Sequence, residues 1–84
     1  MKKPHSRLKD LALISAGISV VDNKTVIIEN VRKISECNDI VSVIESGRLI
    51  ISIWGNDLKI TSFDTGVVEV NGIITSIELE KVGR

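Results

Sequence analysis

Side chains that carry catalysis are scarce in this chain of 84 residues, which has one histidine, one cysteine and no tyrosine. Nucleophilic catalysis needs a Ser, Cys or Thr with a base in hydrogen-bond reach, and the only histidine, His5, stands in the basic segment near the start of the sequence. A rigid triad is therefore not expected. A zinc centre needs several Cys or His ligands, and the chain offers one of each, far apart. No glycine-rich loop followed by Lys-Ser/Thr is present to cradle a nucleotide phosphate. The expectation is a protein with no enzymatic activity, no cofactor and no metal.

Aromatics are nearly absent too, with Trp54 and Phe63 alone, 2% of the sequence. That excludes a stacking platform for single-stranded nucleic acid. Formal charge sums to zero, yet Lys2, Lys3, Arg7 and Lys9 crowd into the first nine residues. Without those four, seven basic side chains face eleven acidic ones. A body of that sign argues against docking on nucleic-acid phosphates, whose affinity comes mostly from Lys and Arg. Residues 1–10 read as a basic, flexible, solvated tail, and residues 11–84 as a single β domain.

The single cysteine, Cys37, has no partner in the chain for a disulfide, which fits a reducing compartment. With no His or basic neighbour to lower its pKa, it is expected as a buried or half-buried small hydrophobe in a strand rather than as a nucleophile. The longest uncharged stretch, Leu11 to Val21, is too short to span a bilayer, so the expectation is a soluble cytoplasmic protein without a direct membrane span, one that would meet a membrane only from its periphery.

What the chain does have is aliphatic residues: about every third position is Ile, Val or Leu. Ser6 to Ser15 shows a weak helical spacing after Pro4, and Gly17 ends it. From Ile18 onward the pattern is strand: Ile18 to Val21, Thr25 to Glu29, Val31 to Cys37, Ile40 to Glu45, Leu49 to Trp54, Leu58 to Phe63, Val67 to Val70 and Ile73 to Glu80. Between them stand turn signals. Asp22-Asn23 and Ser46-Gly47 suit tight hairpins, Asp64-Thr65-Gly66 a three-residue loop, and Asn71-Gly72 the strongest short hairpin signal. Gly47, Gly55, Gly66, Asn71 and Gly72 are accordingly the expected structural turn residues. The fold class is all-β, a small antiparallel sandwich or meander with a short N-terminal helical or irregular segment, with a short β-solenoid as the alternative.

Alternation points to a surface. In Leu49 to Trp54 the set Leu49, Ile51 and Ile53 faces one way, while Ile50, Ser52 and Trp54 face the other and are also largely apolar. A small sheet with one core cannot hide both sets, so Ile50, Ser52 and Trp54 form the candidate interface, for a protein partner or a second copy of the chain. In the last strand Ile73, Thr75, Ile77 and Leu79 are expected on one face and Ile74, Ser76, Glu78 and Glu80 on the other. The glutamates are read as solvated cross-strand neighbours. Asp57 suits an Asx-type turn better than a calcium site, which would need further oxygens to converge there.

The stretches Gly47–Ile60 and Val68–Leu79 resemble the YabP/YqfC family of sporulation proteins. Gly47, Gly55, Leu58, Ile60, Val70, Gly72, Ile74 and Ile77 occupy the family's glycine and aliphatic places, and Leu79 stands where the family has an aromatic. The resemblance covers about Leu11 to Glu80. It implies a role in endospore formation without enzymatic activity, and pairing with a membrane-embedded sporulation protein. The competing reading is a small ligand-binding or hydrolytic module acting on spore envelope material through Glu side chains, which would require a walled pocket.

Overall fold

The computed structural model describes residues 17–82, so the basic tail and the helical spacing over Ser6 to Ser15 lie outside the described residues. Six strands follow one another: β1 (Gly17–Val21), β2 (Thr25–Glu29), β3 (Val31–Cys37), β4 (Val41–Ser46), β5 (Leu49–Asp64) and β6 (Val67–Lys81). They form one antiparallel sheet in the order β1-β2-β6-β5-β4-β3. The fold is all-β, a hairpin-built sheet and not the stacked coils of the solenoid alternative.

Three hairpin turns sit where the turn residues allow them. The β1–β2 loop begins with Asp22 at φ 54°, and the Lys24 N–H closes it by donating to the Val21 carbonyl at 3.1 Å. Gly47, at φ 56°, opens the β4–β5 turn, flanked by the pair Ser46 and Leu49. The β5–β6 turn is tighter than the three residues expected, because Asp64 pairs with Val67 and only Thr65 (φ 54°) and Gly66 (φ 75°) lie between them. Two successive residues at positive φ match the right-handed twist of the flanking strands. At the β3–β4 connection the Asn38 Oδ1 accepts the N–H groups of Ile40 at 2.9 Å and Val41 at 3.0 Å, the local carboxamide turn that Asn favours.

Two expected turns are not turns. Gly55-Asn56-Asp57 and Asn71-Gly72 both lie inside long strands, so four expected strands become the two arms of one β5–β6 hairpin. The register shifts between Trp54 and Gly55, Asn56 and Lys59, and Ile60 and Ser62, and bulges of this kind bend and twist a strand without ending it. The bend divides the work of the hairpin. Beyond it, β2 pairs through Thr25–Ile28 with Val68–Asn71 of β6; before it, β4 pairs through Val41–Ser46 with Leu49–Trp54 of β5.

The glycines at the bend are there for room. A Cβ on Gly55 would stand 1.9 Å from the Ile73 carbonyl oxygen, and one on Gly72, at φ 152°, would stand 2.7 Å from the Asp57 carbonyl oxygen. Asn71 is a clamp and not a turn residue. Its Oδ1 accepts from the Thr25 hydroxyl at 2.6 Å, while its Nδ2 donates to Thr61 Oγ1 at 2.6 Å and Glu69 Oε2 at 3.0 Å, tying β2, β5 and β6 together.

Both halves of the bent sheet contribute to one core. Val26, Ile28, Val68 and Val70 come from beyond the bend and Ile44, Ile51 and Ile53 from before it, all fully buried, with Leu58 and Ile74 from the bend itself. β2 reaches β3 through Asn30 alone, at φ 56°, a conformation Asn tolerates better than other side chains. Ser46 stitches the crossing by donating its hydroxyl to the Glu29 carbonyl. Ser42 is also fully buried, and its hydroxyl has no hydrogen-bond partner among the described residues.

The faces of β6 require a correction. Ile73 is exposed and Ile74 buried, whereas Ile77 further along packs against the core. Gly55 is opposite Ile74 but Trp54 is opposite Ser76, so the bulge at Thr75 inserts one residue and reverses the alternation. Cys37 also departs from expectation, being exposed. It is the last residue of β3, an outer strand with β4 on one side and no strand on the other.

Candidate functional site

Strand β5 carries the surface to which the sequence points. Ile51 and Ile53 are fully buried and Leu49 packs on the core, so Ile50, Ser52 and Trp54 take the opposite, outward face. Cross-strand partners share a face, and the register builds this one in three rows. In the first, Lys33 of β3, Glu45 of β4, Ile50 and Glu80 of β6 stand side by side; in the second, Glu36, Val43, Ser52 and Glu78; in the third, Val41, Trp54 and Ser76.

The rows differ in what they leave open. Trp54 is 40% exposed, whereas its partner Val41 is 6% exposed and lies outside the main core cluster. An indole lying across its β4 neighbour accounts for both values, since a Trp buries its apolar body while keeping one side wet. Trp54 is thus the same-face neighbour of a buried Val41 and itself a surface feature. Its backbone is held from two sides: the Thr75 hydroxyl donates to the Trp54 carbonyl at 3.1 Å, and the next residue, Gly55, donates its N–H to the Ile40 carbonyl at 3.0 Å. Ile40, just before β4, is 53% exposed. Ile50, Ser52 and Val43 are half-buried in the middle of the face.

Charge frames the apolar centre. In these three rows Glu36, Glu45, Glu78 and Glu80 stand with one cation among the described residues, Lys33, and all but the half-buried Glu45 are exposed. Glu45 stands opposite Lys33 and Glu78 opposite Ser52. Glu45 and Glu80, however, both flank Ile50. Sequence reasoning did not collect these glutamates into one surface. The closing pair Ser46 and Leu49 of the Gly47 turn could have shown Glu45 opposite Ile50, but Glu78 and Glu80 depend on the bulge at Thr75.

The remaining expected site residues are distributed elsewhere. Gly47 and Gly66 lie in hairpin turns, and Gly55, Asn71 and Gly72 lie at the bend of the long hairpin. Asp57 occupies that bend at φ 55°, and among the described residues no group of His, Cys, Asp or Glu is assembled that could hold a metal ion. No helix of the described residues is long and apolar enough to cross a membrane.

Comparison with known proteins returned no match among curated proteins and none among solved structures. The family model described as the YabP family matches residues 14–84, which takes in every strand of the sheet. The chain belongs to the YabP family, a membership that points to a sporulation-related protein.

Proposed function

We propose that this protein is a non-enzymatic binding and assembly component of endospore formation, working in the cytoplasm or at the periphery of a membrane of the sporulating cell. The observation that supports this reading is the outward face of β4, β5 and β6, where Val43, Ile50 and Trp54 form an apolar centre inside a rim of four glutamates. Interfaces of this kind combine an apolar centre that excludes water with a polar rim, and Trp is enriched among the residues that dominate their energy. The partner is another protein, and the family's association with membrane-embedded sporulation proteins makes such a protein the first to test.

The rim says what the partner's surface carries. Glu36, Glu45, Glu78 and Glu80 against Lys33 give the face a net negative charge, which attracts a basic segment and repels a second copy presenting the same face. The hydrolytic alternative has no observation in its favour, since these carboxylates stand on an open sheet surface without walls to exclude water.

The test is co-production with a membrane-embedded sporulation protein, followed by co-purification and light scattering. The parent is expected to co-purify and the double variant Ile50→Gln/Trp54→Gln to lose the partner, with an unchanged β circular dichroism spectrum. Glu78→Gln/Glu80→Gln is expected to weaken the complex and flatten its salt dependence. Stable self-association of the parent that both double variants leave intact would overturn the assignment of this face.

A further inference from the structure

A second feature lies at the end of the sheet where three chain connections meet, next to the row of Lys33, Glu45, Ile50 and Glu80. The β2–β3 crossing, the β4–β5 turn and the β5–β6 turn surround an open cleft of about 520 Å³. The connections are bound to one another through the backbone: the Val31 N–H donates to the Gly66 carbonyl at 2.9 Å, and the Gly47 N–H to the Asn30 carbonyl at 3.0 Å. The floor is therefore fixed and does not consist of independent loops. Its volume falls within the range of small-ligand sites, roughly 300–1,000 Å³.

The lining is cationic in a body where acidic side chains outnumber basic ones. Arg32 and Arg48, the two arginines among the described residues, both line it, and none of its lining residues is Asp or Glu. Arg32 is oriented by donating from Nη1 to the Gly47 carbonyl at 3.3 Å. The exposed Arg48 side chain has no hydrogen-bond or ion-pair partner among the described residues. Two arginines lining one concavity that has no carboxylate in its lining give it a positive potential that favours an anion. A guanidinium presents a planar fork of donors that matches the oxygens of carboxylate and phosphate.

We infer that the cleft between Arg32 and Arg48 is a binding site for an oxyanion group, a carboxylate or a phosphate carried by a small molecule or by the tip of a partner's side chain. Arg48 supplies the free fork and Arg32 the pre-oriented one. The inference rests on the lining of the cleft and not on the apolar centre formed by Val43, Ile50 and Trp54, so its failure would leave the proposed function untouched.

The experiment is a titration of the full ¹⁵N-labelled chain with inorganic phosphate and, separately, with succinate, at ionic strength held constant with chloride. The amide signals of Val31, Gly47 and Gly66 are expected to shift along a saturable curve with a Kd of ~1 mM or tighter for at least one of the two anions. Saturation by phosphate alone assigns the site to phosphate groups, by succinate alone to carboxylates, and by both to the chemistry they share. Arg48→Gln, at an exposed position that leaves the backbone bonds of the floor in place, is expected to weaken binding at least about fivefold. Arg32→Gln is expected to do the same. Shifts that rise linearly without saturation for both anions, or saturable shifts that Arg48→Gln leaves unchanged, would overturn the inference.

Discussion

Adding a single methyl group at Gly55 is the sharpest test of how the long hairpin is built. A Cβ at that position meets the backbone of β6: the Ile73 carbonyl oxygen at 1.9 Å, the Ile73 carbonyl carbon at 2.9 Å and the Ile74 Cα at 3.1 Å. Reaching ordinary contact, which begins at 3.4 Å, requires β5 and β6 to separate locally by about 1.5 Å, a third of the usual spacing between strands. An N–H···O bond stretched by that amount is lost. With two ladder bonds broken at ~1 kcal/mol each and ~1–2 kcal/mol of strain left over, Gly55→Ala is expected to cost ~3 kcal/mol. That is a large share of the ~4–12 kcal/mol typical of a domain this size. Urea unfolding followed by far-ultraviolet circular dichroism measures it. Trp54 fluorescence is unsuitable because the indole adjoins the mutation. Gly66→Ala is the control for backbone conformation, since its Cβ meets nothing closer than 3.9 Å but its φ is 75°, and it should cost only ~1 kcal/mol. Gly72→Ala, with contacts of 2.7 and 2.9 Å on Asp57 and Leu58, should fall between the two. If Gly55→Ala matched the parent within ~0.5 kcal/mol while Gly66→Ala lost more, the close approach of β5 and β6 would not be what holds this hairpin.

Two buried serines should respond in opposite directions. Ser42→Ala removes a buried hydroxyl without a partner among the described residues and should be neutral or stabilising by up to ~1 kcal/mol. Ser46→Ala removes the bond to the Glu29 carbonyl and should cost ~1–2 kcal/mol in the same urea assay, with equal losses at both positions counting against the assignment. Because Cys37 is exposed, a thiol reagent should modify it fully in the native protein, and Cys37→Ser should change stability by no more than ~0.5 kcal/mol. A thiol that reacts only after denaturant is added would show it to be covered.

Much of the local structure was legible because it depends on nearest neighbours. The limits of β2 and β3, the turns at Asp22 and Gly47, and the division of Leu49 to Trp54 into a buried and an outward set follow from β-branched runs, turn chemistry and the two-residue period. The resemblance in glycine and aliphatic places was likewise carried by the sequence, and it led to the family.

The tertiary structure decided whatever depends on the chain across the way. An Asn-Gly pair can close a hairpin or let a strand bend past a close neighbour, and at Asn71-Gly72 the backbone of Asp57 and Leu58 selects the bend. One inserted residue at Thr75 then exchanges the faces of everything after it, which places Ile77 on the core and Glu78 and Glu80 beside Ser52 and Ile50. The exposure of Cys37 follows from the outer position of β3, which no run of residues reveals. The placing of Arg32 and Arg48 at one cleft likewise requires three separate connections to converge. Alternation and turn chemistry are properties of a few adjacent residues, whereas register, strand order and the closing of the sheet over its core arise from contacts between residues far apart in the chain.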